Sequence, residues 1–447
     1  MRKLLDDAAR RSGRYLESLK TRPVAPAKEA IAALSKLEQA FPERASTAEM
    51  VLAELDEIGS PATMASAGGR FFGFVIGGAL PVTVAANWLA AAWDQNAGLV
   101  VTSPINAQLE NIALRWVKEI FHLPMQSAGG FVTCATAANF SALAAARHAL
   151  LGRAGWDVEA RGLFEAPPLT IVVGEEVHAS VQKALSMVGF GRERVVRVPV
   201  DSQGRIRTDR FPTVDARTIV CVQAGNVNTG AFDPVAEICR LAHSHGAWVH
   251  VDGAFGMWAA AAPGREHLTG GVSDADSWAT DAHKWLNVPY DSGLVFARDA
   301  NTLRAALSIG GAYLAQDEDR IPYQYTPDFS RRARGVEVWA ALRQLGREGL
   351  ADLVERTCRY ATRFAEGLHG AGYRVLNDVV LNQVLVSFGS PERTREIIAR
   401  VQEDGTCWCG GTLWQGNVAM RISVSSWATT EADVERSLAA ILRVAAA

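Results

Sequence analysis

Lys284 lies in the run Ser277-Trp278-Ala279-Thr280-Asp281-Ala282-His283-Lys284-Trp285, 32 residues after the aspartate that closes Val249-His250-Val251-Asp252. A lysine amine can hold an aldehyde cofactor covalently. An aspartate buried at a strand end can keep a heteroaromatic ring nitrogen protonated. Carbanion chemistry needs both, because a protonated ring accepts the electron pair left when a bond to carbon breaks. The rival reading of Lys284 is a surface lysine at a turn. Its flanks, His283 before and Trp285-Leu286 after, argue against that. Ala254, two residues beyond Asp252, is small enough to let a ring lie flat beside the carboxylate.

A phosphate on such a cofactor needs backbone N–H groups at a helix start, where the helix dipole also favours an anion. The run Gly129-Gly130-Phe131-Val132-Thr133-Cys134-Ala135-Thr136-Ala137-Ala138-Asn139 reads as strand, tight turn and helix, and suits that task. His178 stands in Glu175-Glu176-Val177-His178-Ala179-Ser180-Val181-Gln182-Lys183-Ala184. Pyridoxal 5'-phosphate (PLP) is the cofactor that uses an amine, a ring-nitrogen carboxylate and a phosphate cradle together. The runs around Lys284, Asp252 and His178 resemble the group II PLP-dependent amino-acid decarboxylases of the aromatic-L-amino-acid decarboxylase type. Their fold is the aspartate-aminotransferase-like fold type I.

That resemblance implies roles for particular residues. His178 stacks on the cofactor ring, and the phosphate is held at Ala135 and Thr136, with the Thr136 hydroxyl as an added donor. Asp281 and His283 match positions near the phosphate. Tyr313, 29 residues after Lys284 in Gly310-Gly311-Ala312-Tyr313-Leu314, resembles the mobile-loop tyrosine that returns a proton to Cα after CO2 leaves. The polar stretch 315–325 reads as the rest of that loop. Arg70-Phe71-Phe72-Gly73-Phe74 resembles a segment lining the substrate pocket, which makes Phe72 and Phe74 substrate-binding candidates. Residues 96–99 resemble a stretch that enters the partner subunit's site, so the resemblance implies a homodimer with shared active sites. The chain also departs from the family pattern. Cys134 and Ala135 stand where glycine or serine is usual. Ala137 replaces a frequent glutamate, and Asp281 stands where Asn or Ser is common. Val227, in Gly225-Asn226-Val227-Asn228, replaces a threonine that can donate a hydrogen bond, leaving Asn226 or Asn228 as substitutes.

The elements that must position these residues can be read from hydrophobic patterning. Apolar runs at 130–133, 170–173, 194–198, 218–222, 247–251, 277–279 and 293–297 predict buried strands. Helical patterns at 139–151, 179–188 and 234–245 lie between several of them. This alternation predicts an α/β fold whose large domain holds a largely parallel sheet, with ligands beyond its strand ends. Asp252, His178 and Lys284 all fall at or just after predicted strands. Helices are expected at 26–41 and 47–58. After about 330 the pattern predicts helices at 334–345 and 350–369, strands near 380–387 and 418–424, and a last helix from Thr430. The domain reading is therefore 1–60 as an N-terminal helical segment, 61–330 as the PLP-binding large domain, and 331–447 as a smaller C-terminal α+β domain.

Bulk properties exclude other classes. A net charge of −3 over 447 residues gives no basic surface for nucleic acid or an anionic membrane. The uncharged stretch 71–93 is long enough to span a bilayer. Its glycines, Pro81, Thr83 and Asn87 make buried core the better reading, and no signal peptide is expected at Met1-Arg2-Lys3. The six scattered cysteines read as buried free thiols, which fit a reducing cytoplasm. The expected activity is decarboxylation of an L-amino acid. The alternatives are aldol-type cleavage, transamination or decarboxylation-dependent oxidation on the same scaffold, or a non-catalytic binding protein. Phe71, Phe72, Phe74 and Trp88 point to an aromatic substrate side chain. Arg70, Arg331 and Arg421 are the basic residues open to an acidic one.

Overall fold

The computed structural model describes residues 1–309 and 320–447, so Tyr313 lies outside the described residues. The chain divides into two compact units. One comprises Ala79–Thr362 with Asn377–Val384. The other comprises Met1–Gly78, Arg363–Leu376 and Leu385–Ala447.

Seven strands build the sheet of the first unit: β1 (Ala128–Val132), β2 (Thr170–Gly174), β3 (Val195–Val198), β4 (Thr218–Gln223), β5 (Trp248–Asp252), β6 (Ser277–Asp281) and β7 (Gly293–Ala297). Their spatial order is β1-β7-β6-β5-β4-β2-β3. The run from β3 to β6 is parallel, and β7 is antiparallel to both its neighbours. Every residue of β4 to β7 is buried. This is why these strands read as continuous apolar runs rather than alternating ones. The edge strand β3 exposes Val196 and Arg197. All seven expected strands are present, each within two residues of its expected bounds.

Helix α1 (Ala135–Arg153) crosses one face of the sheet and is covered on both flanks. Ala138, Ala142 and Ala145 pack with Val132, Ala279 and Val295. Leu143, Ala146 and Leu150 pack with Ile171, Ile219 and the Val181 and Leu185 side chains of α2 (Ala179–Met187). Alanine dominates because the helix must approach the strands closely while its neighbours enclose it. A third helix, α3 (Val235–His243), is amphipathic, burying Val235, Ile238, Cys239 and Ala242.

Two departures from expectation have physical causes. The stretch 71–93 is not uniformly buried: Pro81–Trp93 is a helix that leaves Trp88, Leu89 and Trp93 exposed. Among the described residues no helix is long and apolar enough to cross a membrane. The helices predicted at 334–345 and 350–369 form one span, Gly335–Gly370, broken at Gly346, whose φ of 60° only glycine adopts without strain.

In the second unit β8 (Arg374–Val375) and β9 (Gln383–Ser387) pair antiparallel, as do β10 (Gly410–Trp414) and β11 (Asn417–Ser423). These four make one sheet in the order β10-β11-β9-β8. The last helix, Glu431–Ala446, starts on a reciprocal capping box between Thr430 and Asp433. The N-terminal helix Arg2–Ser18, which hydrophobic patterning did not reveal, buries no residue fully. The expected helices at 26–41 and 47–58 contract to Lys28–Ala33 and Ala48–Glu54, each followed by a tighter or wider turn. All six cysteines are unpaired, and five of them are buried.

A buried ion pair holds the start of the Gly335–Gly370 span to the helix Pro104–Ile120. Glu110, with no solvent exposure, pairs with Arg331 and, at 3.4 Å, with Arg320. Glu110→Ala should cost about 3–5 kcal/mol, because it strands a buried guanidinium. The exposed Asp352–Arg356 pair should be silent on Asp352→Ala, since surface pairs contribute little. Urea denaturation of both variants checks this, and equal midpoints would contradict it.

Candidate active site

The segments that follow β1, β2, β5 and β6 converge in the first unit. Asp252 closes β5 and is almost fully buried. Its Oδ1 accepts from Ala254 N–H at 3.2 Å. Its Oδ2 accepts from Asn139 Nδ2 and from Ser180 Oγ, each at 3.3 Å. His178 caps the start of α2: its Nδ1 accepts from Ser180 N–H at 3.2 Å and lies 2.8 Å from Ser180 Oγ. His178 is thus one residue removed from Asp252 through Ser180, and it is half-buried.

Lys284 sits three residues beyond β6, and its Nζ lies 3.0 Å from Asp281 Oδ2. The other Asp281 oxygen accepts from Ala135 N–H at 2.6 Å, at the first residue of α1. One carboxylate therefore bridges the lysine and the helix start. Thr136 follows Ala135 and is half-buried. His283 is buried, which pushes its pKa down. Its Nδ1 accepts from Ser292 N–H at 3.1 Å, so Nε2 carries the proton and faces Asp281 at 3.7 Å. The ring packs against Tyr290 at 4.3 Å.

The lysine loop is pinned by its large neighbour: Trp285 is buried and donates its Nε1–H to Thr357 Oγ1 at 2.9 Å. Trp258 does the same for the end of β6, donating to Asp281 O at 3.1 Å. The turn into α1 depends on Gly293 of β7. A Cβ there would stand 2.7–3.0 Å from the Cys134 backbone, so only glycine lets the turn sit this close.

Lys284, Asp281, Ala135, Asn139, Asp252, Ser180 and His178 thus form one continuous series of contacts. Two members were not singled out from the sequence, Asn139 and Ser180. The available signal was a fully buried Asn on an alanine-rich helix, where a polar side chain needs a partner. Asn226, one of the two candidate substitutes for the absent threonine, is almost fully buried. Its Oδ1 accepts from Asn228 N–H and Thr229 N–H, closing the loop after β4.

The pocket candidates Phe72 and Phe74 belong to the second unit. Phe72 is fully buried, edge-on to Phe364 at 5.1 Å. Phe74 is largely exposed and tilts against Trp408 at 5.4 Å. Arg70 directs its guanidinium to the carbonyls of Thr406 and Arg22, and Arg331 is held by Glu110. Burial pushes the pKa of Arg421 down.

An amine, a carboxylate bearing three donors and a helix start that accepts an anionic oxygen could together hold an aldehyde-bearing, phosphorylated, ring-nitrogen cofactor. The chain belongs to the pyridoxal-dependent decarboxylases: the model of the pyridoxal-dependent decarboxylase conserved domain matches residues 31–388. It is an enzyme of that family, and its cofactor is PLP. It is similar to a phenylacetaldehyde synthase of Arabidopsis thaliana, 26% identical over 75% of this chain and 74% of that one. It is also similar to an aromatic-L-amino-acid decarboxylase of Bacillus atrophaeus, 26% identical over 74% of this chain and 70% of that one. An Oryza sativa TDC crystal structure with PLP and tryptamine shares the fold, with a TM-score of 0.91 and 23% identity over 100% of this chain and 97% of that one.

Asp281 brings a negative charge to the helix start that suits phosphate. Asp281→Asn keeps an acceptor for Ala135 N–H, removes the charge and releases Lys284. The affinity of the cofactor-free protein for inorganic phosphate should rise at least about tenfold, since a like charge a few ångströms away costs on the order of 1–3 kcal/mol. Calorimetric titration reads this. An unchanged or weaker affinity would show that the carboxylate does not compete with the anion.

Proposed function

We propose that the protein decarboxylates an L-amino acid with an aromatic side chain, releasing the amine and CO2. The observation that carries this reading is the buried Asp252 with its three donors, in one contact series with Lys284 and His178. Bound PLP supplies an electron sink for the pair released when the Cα–carboxylate bond breaks. Lys284 would hold the cofactor through its amine, and Asp252 would accept from the ring nitrogen and favour its protonated form, with Ala254 leaving room beside it. His178 would lie against the ring. Thr136 and, on displacement of Asp281, Ala135 would offer N–H groups to the phosphate, with His283 and Asp281 lining its approach. Tyr313 delivers the proton to Cα, with His178 as the substitute acid. Phe72 and Phe74 belong to the segment assigned to the substrate.

The active form is a homodimer in which residues 96–99 reach the partner's site. Trp88, Leu89, Trp93, Val101 and Ile105 support this, since one stretch of chain leaves five large apolar side chains exposed. Asn96 Oδ1 accepts from Gly98 N–H and Arg331 N–H, which gives the 96–99 segment a defined shape.

A second reading is decarboxylation-dependent oxidation to an aldehyde. The similarity to a phenylacetaldehyde synthase favours it over the other PLP reactions. A panel of amino acids assayed for CO2, amine, aldehyde and peroxide separates the two. Amine equal to CO2 supports the decarboxylase, and aldehyde with peroxide supports the second reading. CO2 release absent from every amino acid tested would sink both.

Borohydride reduction of the holoenzyme should fix the cofactor on Lys284, and Lys284→Ala should lose the visible absorbance band. An adduct on another lysine overturns the assignment. Asp252→Ala should lower turnover by several orders of magnitude, each ~1.4 kcal/mol of lost transition-state stabilisation being about tenfold in rate. Near-normal turnover in a PLP-loaded variant overturns that role.

A further inference from the structure

Behind Asp252 the polar groups continue into the core. Trp248, His250 and Asp252 alternate along β5 and so point to one face of the sheet. The register of β6 places Ser277 opposite His250. Helix α1 overlies that face, one turn in from its start, with Asn139. Asn139, His250 and Ser277 have no solvent exposure.

The donors in this group can be assigned without ambiguity. Asp252 only accepts, so the Asn139 group 3.3 Å away is its Nδ2, and Asn139 Oδ1 is left as an acceptor. That oxygen lies 2.9 Å from His250 Nε2, which must therefore carry the imidazole proton. Burial pushes the His250 pKa down to about 4, so the ring carries one proton at neutral pH and Nδ1 is an acceptor. Ser277 Oγ, 3.0 Å from Nδ1, donates to it and in turn accepts from Trp248 Nε1–H at 2.9 Å. Every donor points the same way: Trp248 to Ser277, Ser277 to His250, His250 to Asn139, Asn139 to Asp252.

We propose that Asn139 and His250 are positioning residues for the reaction, the last links of a buried, one-directional hydrogen-bond relay that fixes the carboxylate facing the cofactor's ring nitrogen. This rests on the reading of Asp252 given above. Hydrogen bonds aligned head to tail polarise one another, so the Asn139 amide is a better donor than it would be alone. The relay leaves Oδ2 held and directs the carboxylate's remaining acceptor capacity outward. Because His250 is neutral, it lends polarity and no charge. A charged imidazolium in its place would compete with the ring nitrogen for Asp252. A purely structural role accounts poorly for the arrangement. Buried polar groups add little stability over well-packed apolar ones of the same shape, and this series ends on Asp252 rather than closing on itself.

The test compares PLP with its analogue in which carbon replaces the ring nitrogen, each titrated into cofactor-free protein and followed by tryptophan fluorescence. The wild type should prefer PLP. Asn139→Leu should lower that preference at least about tenfold, the loss expected for one hydrogen bond to a charged group. His250→Phe should lower it about threefold or more, and His250→Gln, which retains a donor, should recover part of it. Affinity for the analogue should stay unchanged throughout, because the analogue has no contact for Asp252 to make. If a core variant fails to fold, Ser277→Ala, the smallest excision in the relay, should still lower the preference in the same direction. Equal losses for both ligands, or an unaltered preference in every variant, overturn the relay. A wild type that binds both ligands alike overturns the role of Asp252, and the relay with it.

Discussion

A carboxylate withdrawn from water must find donors for its lone pairs, and Asp252 must find them at the end of a strand whose backbone is already committed to its neighbours. Each donor comes from a different element: Ala254 from the turn after β5, Asn139 from α1 and Ser180 from α2. Leaving such a group unpaired would cost several kcal/mol. The placement of both helices over this face of the sheet is therefore coupled to a single side chain. The same contacts bring His178, which caps α2, and the start of α1 to the strand ends where Lys284 emerges.

The sheet was legible because parallel strands covered on both faces must be apolar throughout, and no other element of that length has the same composition. The run at 218–222 has nearly that character, 247–251 has it apart from His250, and 293–297 has it in an antiparallel strand that is buried throughout; β4, β5 and β7 follow them closely. Helix α2 was legible for a different reason, its alternation of Val181, Ala184 and Leu185 with polar residues. The helices at Arg2–Ser18 and Pro81–Trp93 were not. The first has an apolar stripe too sparse to bury a residue fully. The second is uncharged and, Thr83 and Asn87 apart, apolar, so its composition gave no clear periodicity and its exposed Trp88 and Trp93 could not be told from core.

At the site, residue types carried the reading further than spacing did. Lys284, Asp252 and His178 stood out because each is chemically distinctive beside a strand end. Asn139 and Ser180 did not, since an Asn one turn into a helix or a Ser two residues after a cap is ordinary in sequence. Their roles depend on register: Asn139 meets Asp252 only because α1 begins where Gly293 lets the Cys134 backbone come close. That approach is a tertiary fact, and no local pattern encodes it.

Asp281 links these constraints. The first N–H groups of a helix have no partner within it, and in α1 the Ala135 N–H is satisfied by the Asp281 carboxylate, which also holds the Lys284 ammonium. The helix start therefore needs no external anion to be stable, and an anion arriving there displaces a side chain rather than water. Lys284, the residue proposed to hold the aldehyde, is held by the same carboxylate. One carboxylate thus satisfies both the helix start and the lysine amine. A neutral amide at position 281 would satisfy the helix but could not form the ion pair. The departure from the common family residue thus places one ion pair across the lysine and the helix start.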